Sequence, residues 1–240
     1  MRIRLLSIAP VLALILAACG GGGSKSSSTT SAPTTAASTA SSSAGSDPAA
    51  TARARKVVFV QADFPPGWTA SPSSTDTPED KATNEQLDAC IGTSGEAAHS
   101  ADVKGDDFNM GQGTQVSSEA QIVKDEATYR KDVAAIKGSK LQSCLQDFLN
   151  KEISKAAGAV PGSLQLAPLT VPSFGDVTVG KRLTGSIAVQ GQTISIYVDF
   201  VLMGKNRAEV TATFSNIGQP FDATLQRTLL DKLGARINAA

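Results

Sequence analysis

The chain is short of the side chains on which most enzymatic chemistry depends. In 240 residues there is one His, and aromatic residues make up 5%. A lone His excludes a multi-histidine metal centre within the chain. His99 would also have to be the base of any Ser-His-Asp hydrolase, and no Gly-x-Ser-x-Gly elbow is present. It sits in the polar stretch Glu96-Ala97-Ala98-His99-Ser100, where exposure is expected. A Walker loop is missing, since Gly111-Gln112-Gly113-Thr114 lacks both the Lys and the spacing. With 22 Lys+Arg against 22 Asp+Glu the formal net charge is zero, which argues against a nucleic-acid partner. No catalytic residue, metal ligand or cofactor is assigned on these grounds. A glycosidase needs two carboxylates only, and no acid here stands out for that role.

What is present divides into three unlike segments. Residues 1–18 carry Arg2 and Arg4, then an apolar run from Leu5 interrupted by Ser7 and Pro10, the pattern of a signal peptide. The run is shorter than the roughly 20 residues of a membrane-spanning helix. Residues 19–52 are Cys19 and then, apart from Lys25 and Asp47, only Gly, Ser, Thr, Ala and Pro. With no apolar period to offset the entropy of ordering, that segment is predicted to be a disordered tether. Residues 53–240 are long enough to bury a core as a single domain. Three basic residues and one acidic residue precede position 53, leaving 19 against 21 and a net charge of −2 in the domain. Nine of its acids lie between Asp76 and Asp107, where a solvated face is expected. Asp102, Asp106 and Asp107 lack the alternating ligand loop of an EF-hand.

The domain changes character midway. Thr77-Pro78-Glu79-Asp80 reads as an N-cap, Pro at the first helical position and acids in the first turn, predicting a helix to about Ile91 that stops at Gly92. Thr114 to Lys124 reads as a strand. Two helices follow, Glu126 to Lys137 and a second capped by Ser139, with Leu141, Cys144, Leu145, Phe148, Leu149 and Ile153 at steps of three and four. Leu164 to Val171 is a short strand broken by Pro168. After it, period-two runs built on Leu183 to Val189, Ile194 to Leu202 and Ala208 to Phe214 are joined by turns at Gln190-Gly191-Gln192 and Gly204-Lys205-Asn206. Short Gly turns between period-two runs predict an antiparallel meander of three strands. Pro220 is expected to open a last helix with Phe221, Leu225, Leu229, Leu230, Leu233 and Ile237 as its apolar face. The fold class is α+β, an antiparallel sheet packed by helices.

Two sets of residues invite a functional reading. In an exported protein Cys90 and Cys144 are expected to pair; two buried thiols or a redox pair are the alternatives, the last lacking Cys-x-x-Cys spacing. In the meander, Ser195, Tyr197, Asp199, Val201 and Met203 share one face of their strand. That face reads either as an outer, partly covered surface with Asp199 toward solvent, or as a half-apolar groove with Tyr197 and Asp199 as polar handles for a ligand.

Leu16-Ala17-Ala18-Cys19 resembles the bacterial lipobox, which implies cleavage before Cys19 and acylation of its thiol. Two or three acyl chains anchor a protein stably where one does not. With the tether and the entry Asp63-Phe64-Pro65-Pro66-Gly67-Trp68, the chain resembles actinobacterial cell-envelope lipoproteins. The C-terminal half is similar in layout to the PsbP/Mog1-like fold and to the extracellular sensor domains of mycobacterial serine/threonine kinases. Those resemblances imply a non-enzymatic lipoprotein on the extracytoplasmic face of the membrane, held through Cys19 and binding or sensing a small or lipidic ligand. The alternatives are a scaffold contacting an envelope protein partner and, more distantly, a cell-wall hydrolase.

Overall fold

The computed structural model describes residues 41–42, 47–155, 164–189 and 192–240. The segment expected to be a signal peptide and Cys19 lie outside the described residues, as does most of the expected tether. A helix starts after Asp47, because Asp47 accepts from the amides of Ala49 and Ala50 and Pro48 occupies the first position of helix α1 (Pro48–Lys56). Residues 48–52, assigned to the tether on composition, are therefore helical: the Ala-rich run buries Ala50 and Ala54 against the sheet.

Among the described residues nine strands, all antiparallel where they pair, make one sheet: β1 (Ser41–Ser42), β2 (Thr69–Ser71), β3 (His99–Lys104), β4 (Asp107–Met110), β5 (Thr114–Val123), β6 (Gln165–Leu169), β7 (Val177–Val189), β8 (Gln192–Lys205) and β9 (Ala208–Ile217). Their order is β1-β3-β5-β9-β8-β7-β6, with β4 also on β5 and β2 on β4. The predicted meander is β7-β8-β9, and Pro168 sits in the edge strand β6. The β8–β9 turn falls one residue later than expected, on Asn206 and Arg207, both with positive φ (50° and 69°). Two such residues suit the twist of a two-residue hairpin. The Arg207 guanidinium donates to the carbonyls of Val123 and Lys124, which offsets the conformational cost.

Helix α2 (Pro78–Ile91) has the reciprocal cap of Thr77 and Asp80 and ends on Gly92 at φ 93°. Helices α3 (Glu126–Lys137) and α4 (Lys140–Lys155) follow as expected. Helix α5 (Ala223–Ala239) is capped by Asp222, accepting from the Leu225 amide, and not opened by Pro220.

The sheet separates two apolar cores. On one face α1 and α5 cover Val116, Ala120, Val201, Met203, Val210 and Phe214. Five of the eight Phe and the only Trp gather there: Phe64 stacks on Phe108 with centroids 4.1 Å apart and meets Trp68 at 5.0 Å, while Phe59, Phe214 and Phe221 complete the cluster. Asp63 locks this entry segment to α5. Its carboxylate accepts from the Val60 amide at 3.0 Å and takes both terminal nitrogens of Arg236 at 2.5 and 2.8 Å. On the other face α2, α3 and α4 pack over β6, β7 and β8, burying Leu183, Ile187, Val198, Phe200 and Leu202 with Leu87, Leu145 and Leu149. The Cys90–Cys144 disulfide forms as expected, with Cα atoms 5.8 Å apart, and joins α2 to α4 at the edge of this core, Cys144 buried in it and Cys90 exposed.

Candidate functional site

The face of the sheet covered by α2, α3 and α4 is apolar over β6-β7-β8 and polar over β9-β5-β3. Register fixes the change. Glu209, Thr211, Thr213 and Ser215 of β9 lie opposite Gln121, Glu119, Ser117 and Gln115 of β5, and Asp102 of β3 lies opposite Gln121. All carry side chains on one face, since their strand neighbours Val210, Ala212 and Phe214 and Val116, Ala120 and Ile122 belong to the opposite core. Glu209 and Gln121 are each only 2% exposed. Gln121 donates to Glu119 at 3.2 Å. A buried polar wall of this extent is costly to maintain unless its groups are satisfied.

The helices on this side carry buried polar side chains of their own. Asn84 and Asp88, one turn apart on α2, are buried, and so is Asp132 of α3. The Thr93–Ser94 loop fixes two of them. Thr93 Oγ1 donates to Asp88 at 2.9 Å, and both the amide and the hydroxyl of Ser94 donate to one oxygen of Asp132, at 2.8 and 2.9 Å. The segment leading into α2 is tied down as well: Lys104 Nζ reaches the Ser74 carbonyl at 2.9 Å and Asp76 at 2.5 Å.

At one end of the wall His99, Asp132 and Glu209 converge. Each presents one ligand atom, all within 4.8 Å of one another, and all three residues are buried. Burial pushes the Glu209 carboxyl up, and the Asp132 and Asp88 carboxylates add to that shift. One imidazole and two carboxylates from β3, α3 and β9 form a donor set able to hold a divalent cation.

Three expectations from sequence are corrected here. His99 is buried as the first residue of β3, because its pairing with Val123 turns it toward the helices. The acidic stretch is not a solvated face: Asp88, Asp102 and Asp106 are buried under it. Asp199 does not point to solvent, because α5 covers its half of the β8 face. It is 1% exposed, pairs bidentately with Arg182 at 2.6 Å and accepts from Gln226 at 2.9 Å. Tyr197, two residues away on that face, is partly exposed. The pair does not join the polar wall, which lies on the other side of the sheet.

Asp132 and Glu209 were not singled out from sequence, although Asp132 left a signal. It falls three residues after Tyr129 and four before Ile136, a carboxylate on the apolar face of its helix. Glu209 left none, since its alternation with Val210 is what any strand with one wet face shows.

No protein-family model matches the sequence, and no curated protein is significantly similar to it. Among solved structures, the chain is similar to LpqN, involved in cell envelope biogenesis of Mycobacterium tuberculosis, at 11% identity and a TM-score of 0.28. The match covers 74% of this chain and 78% of that one. A likeness of that degree assigns neither family nor role. Among the described residues, no helix is long and apolar enough to cross a membrane.

Proposed function

We propose that the protein is a lipid-anchored envelope protein whose α+β domain binds a small polar ligand on the β9-β5-β3 wall beneath α2 and α3, without transforming it. The observation that carries this reading is the division of one sheet face into an apolar half under helices and a buried polar half presenting Gln121, Glu209, Thr211 and Thr213. A face needed only for packing gains stability from apolar residues, whereas a few convergent polar groups fix the orientation of a bound molecule. Wall chemistry favours a polar ligand over a lipidic one. Anchoring through Cys19 rests on the lipobox and places the domain outside the membrane.

Native mass spectrometry of the protein purified from its own envelope tests this reading. A bound species retained by the wild type and lost from a Gln121→Leu, Thr211→Val double variant is expected. Equal retention by the variant, or protein bare of any bound species, would refute it.

A further inference from the structure

We propose that His99, Asp132 and Glu209 form a binding site for a first-row divalent metal ion of the zinc class, the ion being the ligand, or the inner part of the ligand, of the polar wall. The inference rests on the reading of that wall as a binding surface, and it adds the chemistry of what is bound.

Three observations carry the ion, and a fourth its co-ligand. The ligand atoms of the three residues lie within 4.8 Å of one another, the spacing that donors around one small ion require. The three come from β3, α3 and β9, elements distant in sequence, so tertiary structure and not a local acidic run brings them together. Asp132 is held from behind: Ser94 donates twice to one of its oxygens, the kind of outer support that orients a metal-ligating carboxylate. Asn84 of α2 is 4% exposed, and among the described residues its amide nitrogen has no hydrogen-bonding partner, which leaves a buried donor for a polar or anionic co-ligand and not for the ion itself.

The donor set selects among cations. Calcium and magnesium prefer six or more oxygens, whereas an imidazole nitrogen with two carboxylates suits zinc or manganese. Three protein donors leave a coordination position open, as in zinc sites that take an exogenous ligand. A bound anion or polar small molecule would fill it from the side of Gln121 and Thr211.

Isothermal titration calorimetry with Zn2+, Mn2+ and Ca2+ tests the proposal on the protein purified from membranes in detergent, stripped with chelator and with any free thiol alkylated. One Zn2+ per chain is expected, with weaker Mn2+ and no Ca2+ binding. His99→Ala and Glu209→Gln should each weaken zinc by about 10-fold or more, while Asp231→Asn, on the exposed side of α5, should change nothing. Unaltered zinc affinity in either ligand variant, or no stoichiometric zinc binding by the wild type, overturns the proposal. Should His99→Ala fail to fold, Glu209→Gln and the wild-type imidazole resonance of His99 decide. An organic species retained on the wall in a protein that binds no zinc would overturn the metal site and leave the ligand reading standing.

Discussion

Removal of the Cys90–Cys144 bridge is the perturbation whose consequences are best defined. The two residues are 54 apart, and the bridge ties the last turn of α2 to the first turns of α4. On the chain-entropy model a loop of this length restricts the unfolded chain by about 4 kcal/mol, before any native strain is subtracted. That is a large share of the 5–15 kcal/mol typical of a domain. The loss should also be uneven in space. Helix α2 packs chiefly on α4, through Leu87 and Ile91 in the core with Leu145 and Leu149. It is also the element that carries Asp88, whose charge acts on Glu209 of the polar wall. Urea unfolding of the Cys90→Ala, Cys144→Ala variant should therefore show a lower midpoint and a stability loss of about 2–4 kcal/mol. Amide exchange in residues 78–94 should rise well before that in β5, β8 and β9. A midpoint unchanged by the double substitution, or exchange rising uniformly over the sheet, would refute the account of α2 as a stapled cover.

The remaining predictions concern single side chains. Asp199→Ala should cost about 3 kcal/mol, since it leaves the Arg182 guanidinium and Gln226 unpaired beneath α5, and Asp199→Asn should cost less; thermal melts measure both. A Cβ at Gly234 would lie 2.1 Å from the Phe174 ring, so Gly234→Ala should destabilise by about 1–3 kcal/mol despite the gain in helix propensity, read by urea midpoint. Burial pushes the Asp107 carboxyl up to about 6 against the pull of Lys104. The folded protein thus keeps a proton that the unfolded chain releases near pH 4, and this contribution to stability is lost as pH rises from about 4 to 6. Asp107→Asn should flatten that decline and gain about 1–2 kcal/mol at pH 7, allowing for screening at a half-buried position; parallel pH profiles of Tm for the two proteins would contradict it.

Local chemistry announced most of the elements. Thr77-Pro78 with Asp80 and Gly92 marked both ends of α2, and the steps of three and four from Leu141 marked α4, because caps and helical periods are properties of neighbours in sequence. The meander was equally legible from its period of two. The functional surface was not, since period two tells which residues share a face but not what lies over it. The alternation of Asp199 with Phe200 is the same whether α5 covers it or water does, and α5 covers it. Likewise Glu209, Thr211 and Thr213 read as a wet strand face until the register of β9 on β5 and the placement of α3, with Asp132 beside Glu209, show them inside. The composition-based tether boundary failed at Asp47 for a related reason. Ala favours helix, but the Ser, Thr and Gly around it do not, and only a cap followed by burial of Ala50 and Ala54 decides for helix.

The scarcity of histidine supplies the most direct test of the central claim, that the buried polar half of the sheet holds a metal ion at His99, Asp132 and Glu209. With one His in the chain, long-range nitrogen–proton correlation shows one imidazole, that of His99. Titrated with Zn2+, this signal should shift or exchange to a new position and saturate at one equivalent, with accompanying amide shifts confined to β9, β5, β3 and the facing residues of α2 and α3. An imidazole signal that stays in place through several equivalents, or amide shifts clustered at α5 and Asp199, would contradict the account.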